Sequence, residues 1–360
     1  MPQTAIRRLL CGVVVLCVTL GANAARADIV MVNVGNAGNA ADSTGYGSVG
    51  YNYQIGKYEV TAGQYTAFLS AVAATDTYGL YNIDMWSSSY GCKIERSGSS
   101  GSYTYSVASD YASRPVNYVS WYDAARYTNW LTTGNTESGV YTFSGGTLQS
   151  IADHQLAGAT YGTAYFIPTE NEWYKAAYHD KSAGTAGTYF DYPTSSDTAP
   201  GRDMTEDTNP GNNANYYASG YWIGSPYYRT TVGEFELSDS PYGTFDQGGN
   251  VWEWNEADIF GDGSSRGLRG GSFAHGSVTL ASSYRVSSDP TFEDISIGFR
   301  VSSVPEPGSI ALLVSGGVVG LTWWWRRTSH GGRRSPGTTR SSGVPTPAVR
   351  RRRTRRGRGE

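Results

Sequence analysis

Gly248-Gly249-Asn250-Val251-Trp252-Glu253-Trp254 is the stretch on which the reading of this chain turns. It is one of six short blocks. Upstream lie Ile55-Gly56-Lys57-Tyr58-Glu59-Val60-Thr61, Arg114-Pro115-Val116-Asn117-Tyr118-Val119-Ser120-Trp121 and Ile167-Pro168-Thr169-Glu170-Asn171-Glu172-Trp173. Downstream lie Leu268-Arg269-Gly270-Gly271-Ser272-Phe273 and Ile297-Gly298-Phe299-Arg300. The body that contains them, residues 28–303, is rich in Gly, Ser, Tyr and Thr and poor in Leu and Lys. That is not the composition of a helix bundle. Many tyrosines and tryptophans on a glycine-rich frame predict irregular backbone held by aromatic packing. No fixed-period repeat is visible.

Three of the blocks run into helices with their own start signals. Thr61 and Gln64 have capping-box spacing, and Tyr65, Phe68, Leu69 and Val72 follow at i, i+3, i+4 and i+7. Ser120 with Asp123 and Thr169 with Glu172 repeat the device before Ala124, Tyr127 and Leu131 and before Trp173, Ala176 and Ala177. Each box satisfies otherwise orphaned amides and stabilises a helix start by roughly 0.5–2 kcal/mol. Tyr46 to Tyr53 reads as strands or a hairpin, and Gly98 to Tyr105 as the same or as a solvated loop. Few helices among short strands and long loops predict an α+β fold.

The two ends carry addresses. Arg7 and Arg8, the apolar run Leu9 to Leu20, and Ala25-Arg26-Ala27 predict a signal peptide over 1–27. Cys11 and Cys17 leave with it, so the mature chain keeps only Cys92 and has no intramolecular disulfide. At the other end Val304-Pro305-Glu306-Pro307 precedes an apolar stretch from Ser309 to Trp325 and then Arg326-Arg327. Seventeen residues span about 25 Å as a helix, the short limit for a bilayer. This order resembles the PEP-CTERM sorting signal of bacteria that make exopolysaccharide. That resemblance implies an exosortase-type protease as partner, with 304–327 as motif and transmembrane helix. Residues 328–360 form an arginine-rich tail of disordered composition. Its place beside a membrane segment points to lipid-surface attraction or a topology signal. The net charge of −3 hides this basic tail behind an acidic body, which is a poor partner for nucleic acid.

The six blocks together resemble the formylglycine-generating enzyme family, also called sulfatase-modifying factor. Any one block is weak, whereas six in order are specific, and the resemblance covers about residues 51–302. The resemblance implies a C-type-lectin-like variant with little regular secondary structure. It also implies oxidation of a sulfatase cysteine to formylglycine, using two cysteines after the Arg-Gly-Gly-Ser block that bind copper(I). Thiolates are soft ligands suited to that ion. Here the segment reads Phe273-Ala274-His275-Gly276-Ser277-Val278-Thr279-Leu280, with His275 and Leu280 where the pair is expected. Copper is therefore not expected, and no catalytic residue is assigned.

The family's calcium pattern does carry over. It falls on the side chains of Asp246 and Glu253 with the carbonyls of Gly249 and Val251, a hard oxygen set that suits Ca²⁺. The alternative for Glu253 is a buried ion pair with an arginine such as Arg269 or Arg300. A second family site maps to Asn215 and the carbonyl of Tyr216, without a visible acidic partner around Gly224-Ser225-Pro226. The histidines His154, His179, His275 and His330 have no metal-ligand spacing, and His275 reads as an exposed polar residue. No His-Glu-x-x-His motif points to a hydrolase. The expectation is a noncatalytic binding or structural module, exported and surface-sorted, with exopolysaccharide or a surface glycan or protein as partner. The alternative is the family's oxidase. Tyr216, Tyr217, Tyr221, Trp222, Tyr227 and Tyr228 are either its contact surface or simple packing.

Overall fold

The computed structural model describes residues 28–204 and 211–305. The first half of the chain holds β1 (Met31–Val34), β2 (Tyr53–Gly56), α1 (Ala62–Val72), α2 (Asp84–Ser87), β3 (Ile94–Ser97) and β4 (Thr104–Val107). Next come α3 (Trp121–Thr133), β5 (Tyr141–Ser144), β6 (Thr147–Ile151), α4 (His154–Tyr161), β7 (Thr163–Phe166) and α5 (Glu170–Tyr178). A long irregular stretch leads to β8 (Trp252–Trp254), β9 (Arg266–Arg269), β10 (Val286–Ser288), β11 (Ile297–Gly298) and β12 (Ser302–Pro305). This is the sparse α+β architecture the composition predicts.

All three predicted capping boxes form. Thr61, Ser120 and Thr169 each accept from the backbone of the residue three on, and Gln64, Asp123 and Glu172 reach back to the cap. No comparable signal announces α4, capped by Asp153 alone, or the single turn of α2. Gly98 to Tyr105 is the turn and second strand of the β3–β4 hairpin. Of the stretch Tyr46 to Tyr53, only Tyr53 enters a strand, and residues 46–52 form none. Asn39 donates to the Gly47 carbonyl at 2.8 Å and accepts from Val49 N, while Asn171 accepts from Gly47 N. Side chains have taken the backbone groups that a ladder would need.

Two four-stranded sheets organise the described body, in the orders β1-β2-β12-β7 and β10-β9-β8-β11. The first is antiparallel throughout, and β12 runs between β2 and β7, with Val304 opposite Ala164 and Pro305 opposite Thr163. The first two residues of the Val304-Pro305-Glu306-Pro307 stretch thus belong to the folded body, and Val304 is buried. Glu306, Pro307, the apolar segment behind them, the tail and residues 1–27 lie outside the described residues. Among the described residues no helix is long and apolar enough to cross a membrane. The core is aromatic. Tyr65, Phe68, Tyr127, Trp130 and Phe299 pack ring on ring between α1, α3 and the loop before β12.

A buried charge cluster fixes α4 against α5 and the end of β8. The His154 ring stacks on Phe166, with its nitrogens 3.6 Å from Glu172 and 3.1 Å from Glu256. Tyr51 donates to Glu172, and Tyr141 to Glu256. Burial alone would push the imidazole pKa down. The two carboxylates outweigh it and raise the ring to about 10.

Candidate functional site

The loop before β8 is wound by three residues in the left-handed region, Asp246 (φ 60°), Gly249 (φ 93°) and Asn250 (φ 50°). At Gly249 a Cβ would stand 2.4 Å from the Asn215 carbonyl, so only glycine fits this approach. The loop delivers Glu253 to a fully buried position, where its fate is settled by Arg300. The guanidinium grips both carboxylate oxygens, Nε to Oε2 at 2.5 Å and Nη2 to Oε1 at 2.6 Å, and both side chains are 0% exposed. Trp173 adds an indole N–H to Oε2 at 2.6 Å. Arg300 also donates to the carbonyls of Gly56 and Phe245. Of the two readings of Glu253, the ion pair is the arrangement in the structure. Arg269 instead pairs with Glu170, which Arg285 also holds.

A second carboxylate, one the sequence did not single out, lies beside this pair. Glu59 is 1% exposed, and neither of its oxygens has a hydrogen-bond partner. Burial pushes its pKa well up, and the nearby charges of Asp246 and Glu253 push the same way. Asp246 accepts from Gly233 N at 2.6 Å and is itself raised to about 6, chiefly by burial. Glu59 also lines a cavity of about 60 Å³. A buried carboxylate without a donor is costly unless it is protonated or a cation answers it. Next to Asp246, Glu59 rather than the ion-paired Glu253 is thus the carboxylate left without a partner. The only sequence signal for Glu59 was its place in the Ile55–Thr61 block.

The Asn215–Tyr216 pair does not offer the same fit. The Tyr216 carbonyl, with those of Ala218 and Gly220, accepts from the Arg202 guanidinium at 2.8–3.4 Å, so a cation already sits at these oxygens. The Asn215 amide donates to the Tyr228 carbonyl and to Asn250, leaving its own oxygen unpartnered and buried.

His275 and Leu280 occupy the positions where paired cysteines were expected. Leu280 is 0% exposed and packs with Ala214 and Tyr216. A methyl-ended side chain in that setting supplies no donor. His275 is exposed, and its Nδ1 lies 3.2 Å from the Trp252 indole N–H and 2.7 Å from Ser272 Oγ. Indole N–H only donates, so Nδ1 must accept, and the neutral ring carries its proton on Nε2. Burial lowers the ring's pKa, which keeps it neutral. The remaining nitrogen is thus a donor, unsuited to metal. Among the described residues no cluster of three or more His, Cys, Asp and Glu side chains could hold a metal ion; Cys92 is buried and apart.

The six aromatics named above divide. Tyr216 is buried and donates to the Pro200 carbonyl, and Tyr227 donates to Asp110 beneath the Arg114 guanidinium. Tyr228 joins Tyr90, Tyr221 and Phe273 in a cluster in which every ring touches every other. Tyr217, Tyr221 and Trp222 remain 40–41% exposed, and the Tyr217 amide donates to the His275 carbonyl. Packing claims Tyr216, Tyr227 and Tyr228, while Tyr217, Tyr221 and Trp222 keep exposed faces, Tyr217 beside His275.

Comparison with known proteins places the chain. Among solved structures it is similar to CarF, at 24% identity over 76% of this chain and 98% of that one, with a TM-score of 0.47. Treponema denticola variable protein 1 matches at 22% identity over 77% and 95% of the two chains, TM-score 0.43. PvdO from Pseudomonas aeruginosa matches at 18% over 76% and 91%, TM-score 0.39. No curated protein matches. The family model described as the sulfatase-modifying factor enzyme 1-like domain matches residues 22–303. The six blocks, the sparse C-type-lectin-like architecture and this match agree: the chain belongs to the sulfatase-modifying factor enzyme 1-like family.

Proposed function

We propose that this protein is a noncatalytic member of its family, an exported binding module held or sorted at the cell surface. One observation carries the reading: the two places that the oxidase fills with thiols hold a core leucine and a histidine whose proton is fixed on its outward nitrogen. Copper(I) chemistry needs soft donors side by side, and this donor set has none. The exposed Tyr217, Tyr221 and Trp222 offer a contact surface instead, Tyr217 beside His275. The signal sequence, the Val304–Pro307 motif and the apolar segment support export, sorting by an exosortase-type protease, and an exopolysaccharide or surface glycan as partner. Copper(I) titration of the protein is expected to show no tight site, and a sulfatase cysteine peptide to stay unoxidised. Conversion of that peptide to an aldehyde would establish the oxidase reading in its place.

We further propose a structural calcium ion. Glu59 and Asp246 would hold it, with the carbonyls of Gly249 and Val251, and its charge would keep both carboxyls ionised inside the fold. Chelation is expected to lower the melting temperature, and Glu59→Gln to remove most of that sensitivity. A melting curve indifferent to chelator rules the ion out.

A further inference from the structure

A cleft of about 680 Å³ opens on another part of the surface, within the range that holds small ligands. Four segments distant in sequence build it: the loop after α1 with Tyr78, the first two turns of α3 with Tyr122, Asp123 and Arg126, the Gly145-Gly146 turn, and the loop after β10 with Glu293. Arg126 is held from all sides. It is bonded to Glu137 at 2.7 Å and to the Gly146 carbonyl, with its guanidinium 4.6 Å from the Tyr78 ring and 4.1 Å from Phe143. Its charge is thereby answered within the protein. Tyr78 rests on it and stays 40% exposed.

Beside them two carboxyl groups meet. Asp123, 3% exposed, accepts from Ser120 N at 2.9 Å and from Ser120 Oγ at 2.7 Å, and lines the cleft beside Glu293. Asn82 donates to Glu293 from the other side. Two neighbouring buried carboxyls disfavour double ionisation, so the pair holds a proton more readily than either acid alone. Burial, with the Asp123 charge behind it, pushes Glu293 up to about 8. The other charged groups facing the pair are Arg126 of α3 and Asp76, itself paired with Arg96 at 2.8 Å.

The lining thus offers a phenol ring with a free face, a proton-holding acid pair that can both donate and accept, and no unanswered cation. An anionic ligand would meet net negative charge here. We propose that this cleft binds an uncharged polyhydroxyl ligand, a sugar ring of a neutral glycan, packed on Tyr78 and hydrogen-bonded by the Asp123–Glu293 pair. This deepens the binding-module reading, on which it rests, by giving it a ligand class and a site apart from Tyr217 and Trp222.

The test is a glycan array carrying neutral and uronic-acid oligosaccharides, probed with the full-length chain in detergent and with Tyr78→Ala, Glu293→Gln and Trp222→Ala. Melting temperatures check that each variant folds. Retention on neutral glycans is expected, about tenfold weaker for Tyr78→Ala. Wild-type binding should fall between pH 7 and pH 9 as the pair loses its proton. Glu293→Gln, which keeps a donor at all pH values, should not show that fall. Loss with Trp222→Ala but not Tyr78→Ala would overturn the cleft and leave the binding-module reading standing. Retention on acidic glycans alone, or on none, would also overturn it, and the copper and aldehyde assays then decide the broader reading independently.

Discussion

Glu253→Gln is expected to destabilise the protein by about 3–5 kcal/mol, as removal of one partner from a fully buried ion pair does. The amide keeps the shape of the carboxylate but not its charge. Arg300 would then sit 0% exposed without its bidentate carboxylate, held by the carbonyls of Gly56, Lys57 and Phe245 and by the more distant charges of Glu59 and Asp246. The Trp173 indole would lose its charged acceptor in the same step. Denaturant unfolding measures the effect. The double change Glu253→Gln with Arg300→Met should cost less than the two single changes added together, because the second removes the charge that the first strands. A single-variant loss under about 1 kcal/mol would refute the pair as an anchor of β8 to the 297–300 block. The same logic makes Glu59, not Glu253, the substitution that isolates calcium.

His154→Leu is expected to cost a similar amount, about 3–5 kcal/mol, because it strands two carboxylates. Glu172 is 0% exposed and Glu256 11%, and among the described residues neither has another cation in contact. The pH dependence follows from the direction of each shift. The imidazole is raised from 6.5 to about 10 on folding, so its contribution is complete below pH 6.5 and disappears as pH rises through about 10. Burial works against ionised Glu172, but the His154 charge and hydrogen bond win and lower it below 4.5. Its contribution is complete above pH 4.5 and is lost as pH falls through that lower value. Wild-type stability should therefore decline at both extremes, and the leucine variant should lack the alkaline limb. An unchanged alkaline limb would show that the ring is not the titrating group.

The parts of the fold legible in the sequence were those encoded within a few residues. The three capping boxes are local devices, each needing only a hydroxyl and an acceptor three positions on, and all three formed. What the sequence could not show depends on partners far along the chain. The stretch from Tyr46 to Asn52 alternates like a strand, yet Asn171, 124 positions beyond Gly47, helps to claim its backbone. The choice between Arg269 and Arg300 as the partner of Glu253 turned on which arginine shares its buried pocket, a matter of tertiary packing. Glu59 was invisible for the same reason, since its lack of a hydrogen-bond partner is a property of the cavity and not of its neighbours in sequence. The family blocks themselves were readable because they are contiguous.

The central place of β12 bears on how the chain is made. A sheet whose third strand comes from residues 302–305 stays divided until that segment has entered between β2 and β7. Until then β2 and β7 present bare edges to any neighbour, the condition that favours misassembly and chaperone capture. A chain cut before Ser302 would keep β2 and β7 but lack the strand that seals them together.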